Sequence, residues 1–339
     1  MAEQPKLMSK APKTATGVDV LSDMLRVVRL TGASLFRGRL SEPWCVASGG
    51  AAELSQAMSL TSRCLVIFHV VMSGRCWVSV GGQRADLSAG DVVILAHGDP
   101  HVLGGGLERP AAPMASVLPQ PPWSGLLDVV HGGGGQETQL FCGFLHCHAT
   151  GFAPLLASLP RLMVVRAFAD DASAWLRSTV ELIVHEANKQ RPGSRLMLER
   201  LNEVVFVESL REHMAAGGTE TTGWLAGVRD RHVGRALELM HADPARGWTV
   251  PELARAAGIS RSVLTERFGR LVGQSPIEYL KIWRLHLAGS MLRDGERKLR
   301  EIAEAVGYES ESAFSKAFRR TFGASPGSWR RSAQTAQQS

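Results

Sequence analysis

Three histidines and three cysteines carry the clearest chemistry in the first half of the chain: His69, His97 and His101, with Cys76, Cys142 and Cys147. Neutral imidazoles bind zinc, iron or nickel, and a thiolate close by favours zinc. The run Cys142-Gly-Phe-Leu-His146-Cys147-His148 sets two thiols among imidazoles. A thiol in such company is expected to have a lowered pKa and to oxidise readily. Three readings stay open: a zinc or other divalent-metal site, a redox thiol, and cysteines buried simply as small hydrophobes. No cofactor is assigned by these residues alone. No Gly-rich phosphate loop, serine elbow or H-E-x-x-H helix occurs in the chain, and an enzyme is not expected.

The second chemistry is electrostatic. From Arg229 to the end there are 19 Lys and Arg against 12 Asp and Glu, a balance of +7, whereas the first 228 residues hold 19 against 20. All the excess positive charge of the chain, +6 overall, sits in its last third. A polyanion is the natural partner of such a segment.

The elements that position these groups change character along the chain. Met1 to Gly17 reads as an unstructured tail rather than an export signal. Without an export signal, the five cysteines are expected to be reduced thiols in the cytoplasm. Residues 18–165 are strand-like: Leu65–Val71 and Cys76–Val80 are β-rich, Gly81-Gly82 makes a turn, and Val92–Leu95 follows Gly90-Asp91. Gly104–Gly106, Gly132–Gly135 and the Pro119, Pro121, Pro122 cluster read as surface loops. Residues 166–214 carry helical spacing, with Trp175, Leu176, Val180, Ile183 and Val184 before Arg191-Pro192-Gly193-Ser194 and Leu198, Leu201, Val205 and Leu210 after it. This is an antiparallel helix pair whose apolar stripes, Leu201 and Val205 included, are expected to form a homodimer interface. Residues 215–228 read as a hinge, and the basic domain spans 229–333.

That basic domain contains an internal repeat. One copy reads Leu253-Ala254-x3-Gly258-Ile259, Leu264, Phe268 and Gly273-Gln274-Ser275-Pro276. The other reads Ile302-Ala303-x3-Gly307-Tyr308, Phe314, Phe318 and Gly323-Ala324-Ser325-Pro326. Each is a helix–turn–helix pattern: a small residue for close helix approach, a glycine where the first helix ends left-handed, then a buried apolar stripe on a polar helix. Ser260 is a candidate N-cap, and Pro276 opens a further helix. The apolar stretch Ile277–Leu292 makes a helix of roughly 25 Å. A helix of that length can hold two reading helices about one DNA turn, ~34 Å, apart.

The repeat, from about Val233 to Arg331, closely resembles the DNA-binding domain of the AraC/XylS family. The resemblance implies a sequence-specific activator or repressor working with RNA polymerase on double-stranded DNA, with recognition helices at about Arg261–Gly269 and Glu311–Thr321. By the same resemblance Ser262, Thr265, Glu266, Glu311, Ser312 and Lys316 approach base edges. Glu266 departs from a mostly basic position; a carboxylate there can accept from cytosine N4 but repels phosphate. Arg261, Arg267, Arg270, Arg319 and Arg320 read as phosphate clamps.

His69-x5-Arg75-Cys76-Trp77 and Gly90-Asp91 through His97-Gly98-Asp99-Pro100-His101 resemble the two strand motifs of a cupin barrel. The implied fold class is α+β: a cupin-like antiparallel β-barrel with a helical dimerisation hairpin, then an all-α domain of two helix-turn-helix units joined by a long helix. The barrel is then a sensor for an unidentified effector, its histidines grouped at the mouth or interior. Metal-binding cupins supply an HxH pair and a Glu from the first motif, and this chain has only His69 there. An apolar pocket around Phe68, Trp77 and Phe141 is the alternative sensing site.

Overall fold

The computed structural model describes residues 18–28, 30–58, 65–120, 126–147, 153–169, 172–189, 191–216, 222–295 and 297–338. A short helix, α1 (Val20–Val28), precedes the strands. These are β1 (Leu30–Ser41), β2 (Trp44–Ser48), β3 (Leu65–Ser73), β4 (Arg75–Val80), β5 (Gln83–Ser88), β6 (Asp91–Leu95), β7 (His101–Gly105), β8 (Ala112–Pro113), β9 (Leu127–Gly132), β10 (Glu137–Cys147) and β11 (Met163–Arg166). Helix α2 (Ala51–Ala57) follows β2, α3 (Met114–Val117) follows β8, and α4 (Ala153–Ala157) precedes β11.

The strands form two sheets, one of order β11-β6-β3-β10-β1-β9 and one of order β5-β4-β7-β2-β8. The expected single closed barrel is therefore corrected to a two-sheet arrangement. Pairing is antiparallel except β1 with β9 and β2 with β8. Alternation along β3 sorts its side chains onto two faces: Leu65, Ile67 and Val71 join one core cluster, while Val66, Phe68, Val70 and Met72 join another. The first cluster lies between the sheets, because it also takes Val46, Cys76, Val78 and Leu103 from the five-stranded sheet. The second lies on the opposite face, beneath helices.

Those helices are α5 (Ala174–Lys189) and α6 (Ser194–Ala215), joined by a turn in which Gly193 sits at φ 86°. Leu176, Val180, Ile183 and Ala187 of α5 are fully buried, as are Leu198, Val205, Phe206 and Leu210 of α6. Helix α6 packs on β1 of its own protomer as well as on α5. This alters two expectations: Leu201 and Val205 are buried within the chain, whereas Trp175 is 75% exposed.

Gly104 and Gly105 belong to strand β7, not to a surface loop. A Cβ at Gly104 would stand 2.3 Å from the Trp77 ring, and one at Gly105 2.4 Å from Trp44 Nε1. The glycines stand where two indoles approach the strand too closely for a side chain.

The remaining helices are α7 (Trp224–Arg229), α8 (Arg231–Ala242), α9 (Val250–Ala256), α10 (Arg261–Val272), α11 (Pro276–Asp294), α12 (Leu299–Ala305), α13 (Glu311–Phe322) and α14 (Pro326–Gln338). The core under α5 and α6 continues without a break into Trp224, Leu237, Phe268, Tyr279 and Trp283. Helix α1 reaches across as well, packing on α8 and α11, with Arg293 donating to the Val27 carbonyl at 3.0 Å. Among the described residues no helix is long and apolar enough to cross a membrane.

Candidate nucleic-acid interface and sensor cavity

Each helix-turn-helix unit is punctuated as its residues require. Gly258 and Gly307 end α9 and α12 at φ 73° and 79°, and Gly273 and Gly323 end α10 and α13 at φ 82° and 71°. At Gly307 a Cβ would also stand 2.5 Å from the Ala245 carbonyl, so close approach reinforces the backbone demand. Ser260 and Ser310 cap α10 and α13, accepting from the backbone N–H groups of Val263 at 3.3 Å and Ala313 at 3.2 Å. Ser275 accepts from Glu278 N–H, and Pro276 stands in the first turn of α11.

Buried Leu264, Phe268 and Leu271 anchor α10, and Phe314 and Phe318 anchor α13. The opposite faces are polar and exposed: Arg261, Ser262, Thr265, Glu266 and Arg270 on α10, and Glu311, Ser312, Lys316, Arg319 and Arg320 on α13. Lys316, Arg319 and Arg320 share one shallow concavity with Ser315 and Ser325. Arg267 differs from the other arginines. Its Nε donates to Asp230 at 2.8 Å, and Asp230 also caps α8 by accepting from His232 and Val233 N–H. Its charge is engaged inside the first unit, and its geometry is that of a structural tie.

Arg284, in the middle of α11, is a residue the motif analysis passed over. Its Nε donates to Pro244 O at 2.6 Å, Nη1 to Gly307 O at 3.3 Å, and Nη2 to Ala245 O and Arg246 O. One guanidinium thus joins the α8–α9 loop of the first unit to the turn glycine of the second. The only sequence signal for it is a charged residue interrupting Ile282-Trp283-x-Leu285 on an otherwise apolar helix.

In the sheet domain, His69 on β3 and Cys142 on β10 are directly paired across the antiparallel ladder. His69 Nδ1 lies 2.7 Å from Cys142 Sγ, and its Nε2 lies 2.9 Å from Nε2 of His101, which opens β7 in the other sheet. His101 Nδ1 in turn lies 2.9 Å from the Asp99 carbonyl. All three side chains are buried. Burial, together with His101, lowers the His69 pKa well below the ordinary imidazole value, and burial lowers that of His101 too. Both rings are neutral, so the proton order follows. A carbonyl only accepts, hence His101 Nδ1 carries the hydrogen and its Nε2 is a lone pair. His69 Nε2–H donates to that lone pair, leaving His69 Nδ1 to accept from the Cys142 thiol.

This group lines a cavity of about 350 Å³. Leu35, Phe36, Ile67 and Leu54 give it an apolar wall, and Gln56, Ala115 and Gln120 stand exposed at its mouth. The contributions of α2 and α3 carried no motif and were not anticipated.

The structure separates the remaining sensor candidates. His97 donates from Nε2 to the Leu159 carbonyl at 3.0 Å and does not line the cavity. Cys76 is buried in the inter-sheet core, its thiol pushed up to about 12 by burial and by Asp91. Burial, with Cys76, pushes the Cys142 thiol well above its usual value. The lowered thiol pKa expected from imidazole neighbours is therefore overturned, because desolvation outweighs a neutral imidazole's help. The side chain of Cys147 and all of His148 lie outside the described residues. Among the described residues no group of three or more ligating side chains converges on a metal position. The His69 and His101 nitrogens are closer than the ~3.3 Å that two tetrahedral zinc ligands keep, and Cys142 meets the other side of the His69 ring. A zinc set does not fit this arrangement. Phe68 and Phe141 face the helices with ring centroids 6.1 Å apart, while Trp77 lies under Arg84 on another surface. The alternative pocket around these three aromatics does not form.

Residues 19–215 match the Cupin family and residues 253–332 the helix-turn-helix domain family. The chain is 36% identical over 268 residues to an AraC-like transcription regulator of Streptomyces antibioticus, covering 78% of this chain and 86% of that one. It is 28% identical to the HTH-type transcriptional regulator AlkR of Acinetobacter baylyi, covering 81% and 90% respectively. A solved AraC-type DNA-binding domain from Chromobacterium violaceum, 27% identical, covers 32% of this chain and 96% of its own, with a TM-score of 0.30. The chain belongs to the AraC-like transcription regulators, DNA-binding proteins here built from a cupin-type domain followed by paired helix-turn-helix units.

Proposed function

We propose that α10 and α13 enter two successive major grooves of one DNA site, and that an effector held in the cavity biases this binding. The observation that carries the reading is the pair of exposed polar faces on α10 and α13, in two units that Arg284 ties together through the α8–α9 loop and the Gly307 carbonyl. Ser262, Thr265, Glu266, Glu311, Ser312 and Lys316 read base edges; Arg261, Arg270, Arg319 and Arg320 hold phosphates. The +7 balance of this region supports the phosphate role. At a promoter in the cytoplasm the protein partner is RNA polymerase. A second copy docks on the exposed face of the α5–α6 pair.

Selection of genomic fragments by the full-length protein, followed by titration of a selected site, tests this. Binding should weaken by a log–log salt slope of about −0.9 per phosphate neutralised. A flat response over tenfold in ionic strength, or no enrichment of any sequence, would refute it.

A further inference from the structure

The hydrogen-bonded chain from Cys142 to the Asp99 carbonyl has a direction. Cys142 S–H points at His69 Nδ1, His69 Nε2–H at His101 Nε2, and His101 Nδ1–H at the backbone. A thiol facing a neutral imidazole acceptor can lose its proton in the same step in which sulfur bonds to carbon. The imidazolium so formed need not stay in the middle of the sandwich. His69 can pass its Nε2 proton to His101, where the Asp99 and Glu53 carboxylates offset part of the burial that disfavours the charged ring. Glu53 also lines the cavity.

The cavity selects what reaches the sulfur. At about 350 Å³, with an apolar wall around the Cys142 side chain, it suits a ring or short alkyl chain rather than a small hydrophilic oxidant. A carbon electrophile that docks through its apolar part, and is attacked as the Cys142 proton leaves for His69, matches this lining.

We propose that Cys142 is a nucleophile that adds to the β-carbon of an apolar α,β-unsaturated carbonyl compound bound in the cavity, with His69 as its base and His101 as the onward proton acceptor. The inference rests on the reading of this cavity as the effector site. Sulfur forms a bond to the β-carbon, and the C=C electron pair shifts to give the enolate. The thiol proton goes to His69 Nδ1 as the Nε2 proton moves to His101. The relay then runs backward, and His69 delivers a proton to the α-carbon. The sum is thiol plus alkene giving thioether, with no co-reactant consumed. The adduct sits on β10, whose neighbouring side chains Phe141 and Leu145 belong to the core shared with α5, α6 and the DNA-binding helices.

The test uses the full-length protein with benzylideneacetone and its saturated counterpart, benzylacetone. Intact mass and peptide mapping should show one benzylideneacetone adduct, on Cys142, absent in Cys142→Ser; benzylacetone should bind by ligand-observed NMR without an adduct. His69→Gln should slow addition roughly 100-fold, and His101→Gln should slow it too, while both variants keep a cooperative thermal transition. If His69→Gln fails to fold, the His101→Gln rate and the wild-type adduct position carry the test. An adduct confined to other cysteines, or binding of both ketones with no adduct, overturns the proposal while leaving the effector cavity standing. Binding of neither ketone overturns both. An unchanged rate in a folded His69→Gln or His101→Gln protein overturns the relay.

Discussion

At the scale of single residues, the exposed side chains of α13 divide by what they can do on DNA. A lysine that reaches guanine O6 or N7 discriminates between bases, whereas an arginine on phosphate strengthens every sequence alike. Lys316→Ala should cost about 1–3 kcal/mol on the preferred site and relax one position in it. Arg320→Ala should weaken all variants of the site by a similar factor. Titrating both against a panel of single-base variants checks this, and indistinguishable profiles would end the division. His241 offers a second residue-level test. It is buried at the junction of α1, α8 and α11, stacked on Trp283 at 4.0 Å, with Tyr279 Oη 2.8 Å from its Nε2 and Asp23 3.7 Å from its Nδ1. Burial lowers its pKa below the ordinary 6.5, with Asp23 opposing. The unfolded chain then takes up the proton first, so stability is full above about 6.5 and is lost as pH falls below it towards the folded-state value. Urea unfolding between neutral and mildly acid pH should show a shallower decline in His241→Gln than in the wild type.

At the scale of elements, α11 is more than a spacer. Its 19 residues span about 28 Å, but length alone leaves the rotation of one unit against the other undefined. Arg284 supplies that constraint by donating to carbonyls on both sides. Arg284→Ala should destabilise the protein by about 2–3 kcal/mol in urea unfolding, since charged hydrogen bonds are lost and carbonyls are left behind. Arg284→Lys should recover little, because an ammonium cannot match a planar fork. Affinity for a site with both half-sites intact should fall further than affinity for a site with one half scrambled. Equal losses would reduce Arg284 to a stability residue.

At the scale of the whole molecule, burial identifies which face of the helix pair is free. Leu201 and Val205 pack inside the protomer, whereas Trp175, Leu182, Leu196, Met197 and Val204 are 42–75% exposed. Leu182 follows Trp175, and Val204 follows Met197, by seven residues, so each pair shares a helix face. Leu182→Glu with Val204→Glu should yield folded monomers in sedimentation, while Leu201→Glu should unfold the chain. A wild-type protein that is monomeric at micromolar concentration would remove the interface. The core beneath α5 and α6 runs unbroken to Phe268 of α10, so the sheet domain and the first helix-turn-helix unit share one packed core.

The C-terminal half was largely written in local signals. Glycine where a helix turns left-handed, serine at an N-cap, proline in a first turn and a repeated apolar stripe each depend on a few neighbouring residues, and all recur in the structure at their expected positions. The strands around Gly81-Gly82 were legible for the same reason. Direct long-range contacts were not. The cupin resemblance groups His69, His97 and His101, yet only His69 and His101 meet; that contact, and the pairing of His69 with Cys142, come from the register of β3 with β10 and the stacking of two sheets. Burial then reversed the expected thiol acidity, because desolvation is set by everything packed around a group rather than by its neighbours in sequence. Gly104 and Gly105 looked like a loop until two tryptophans from other strands lay across them. Arg284 carried no motif; its role appears only where two turns, about 40 and about 20 residues away along the chain, present their carbonyls to it. Local conformational preference is encoded residue by residue, but which face is buried, and which polar atoms meet there, is decided only when the chain closes on itself.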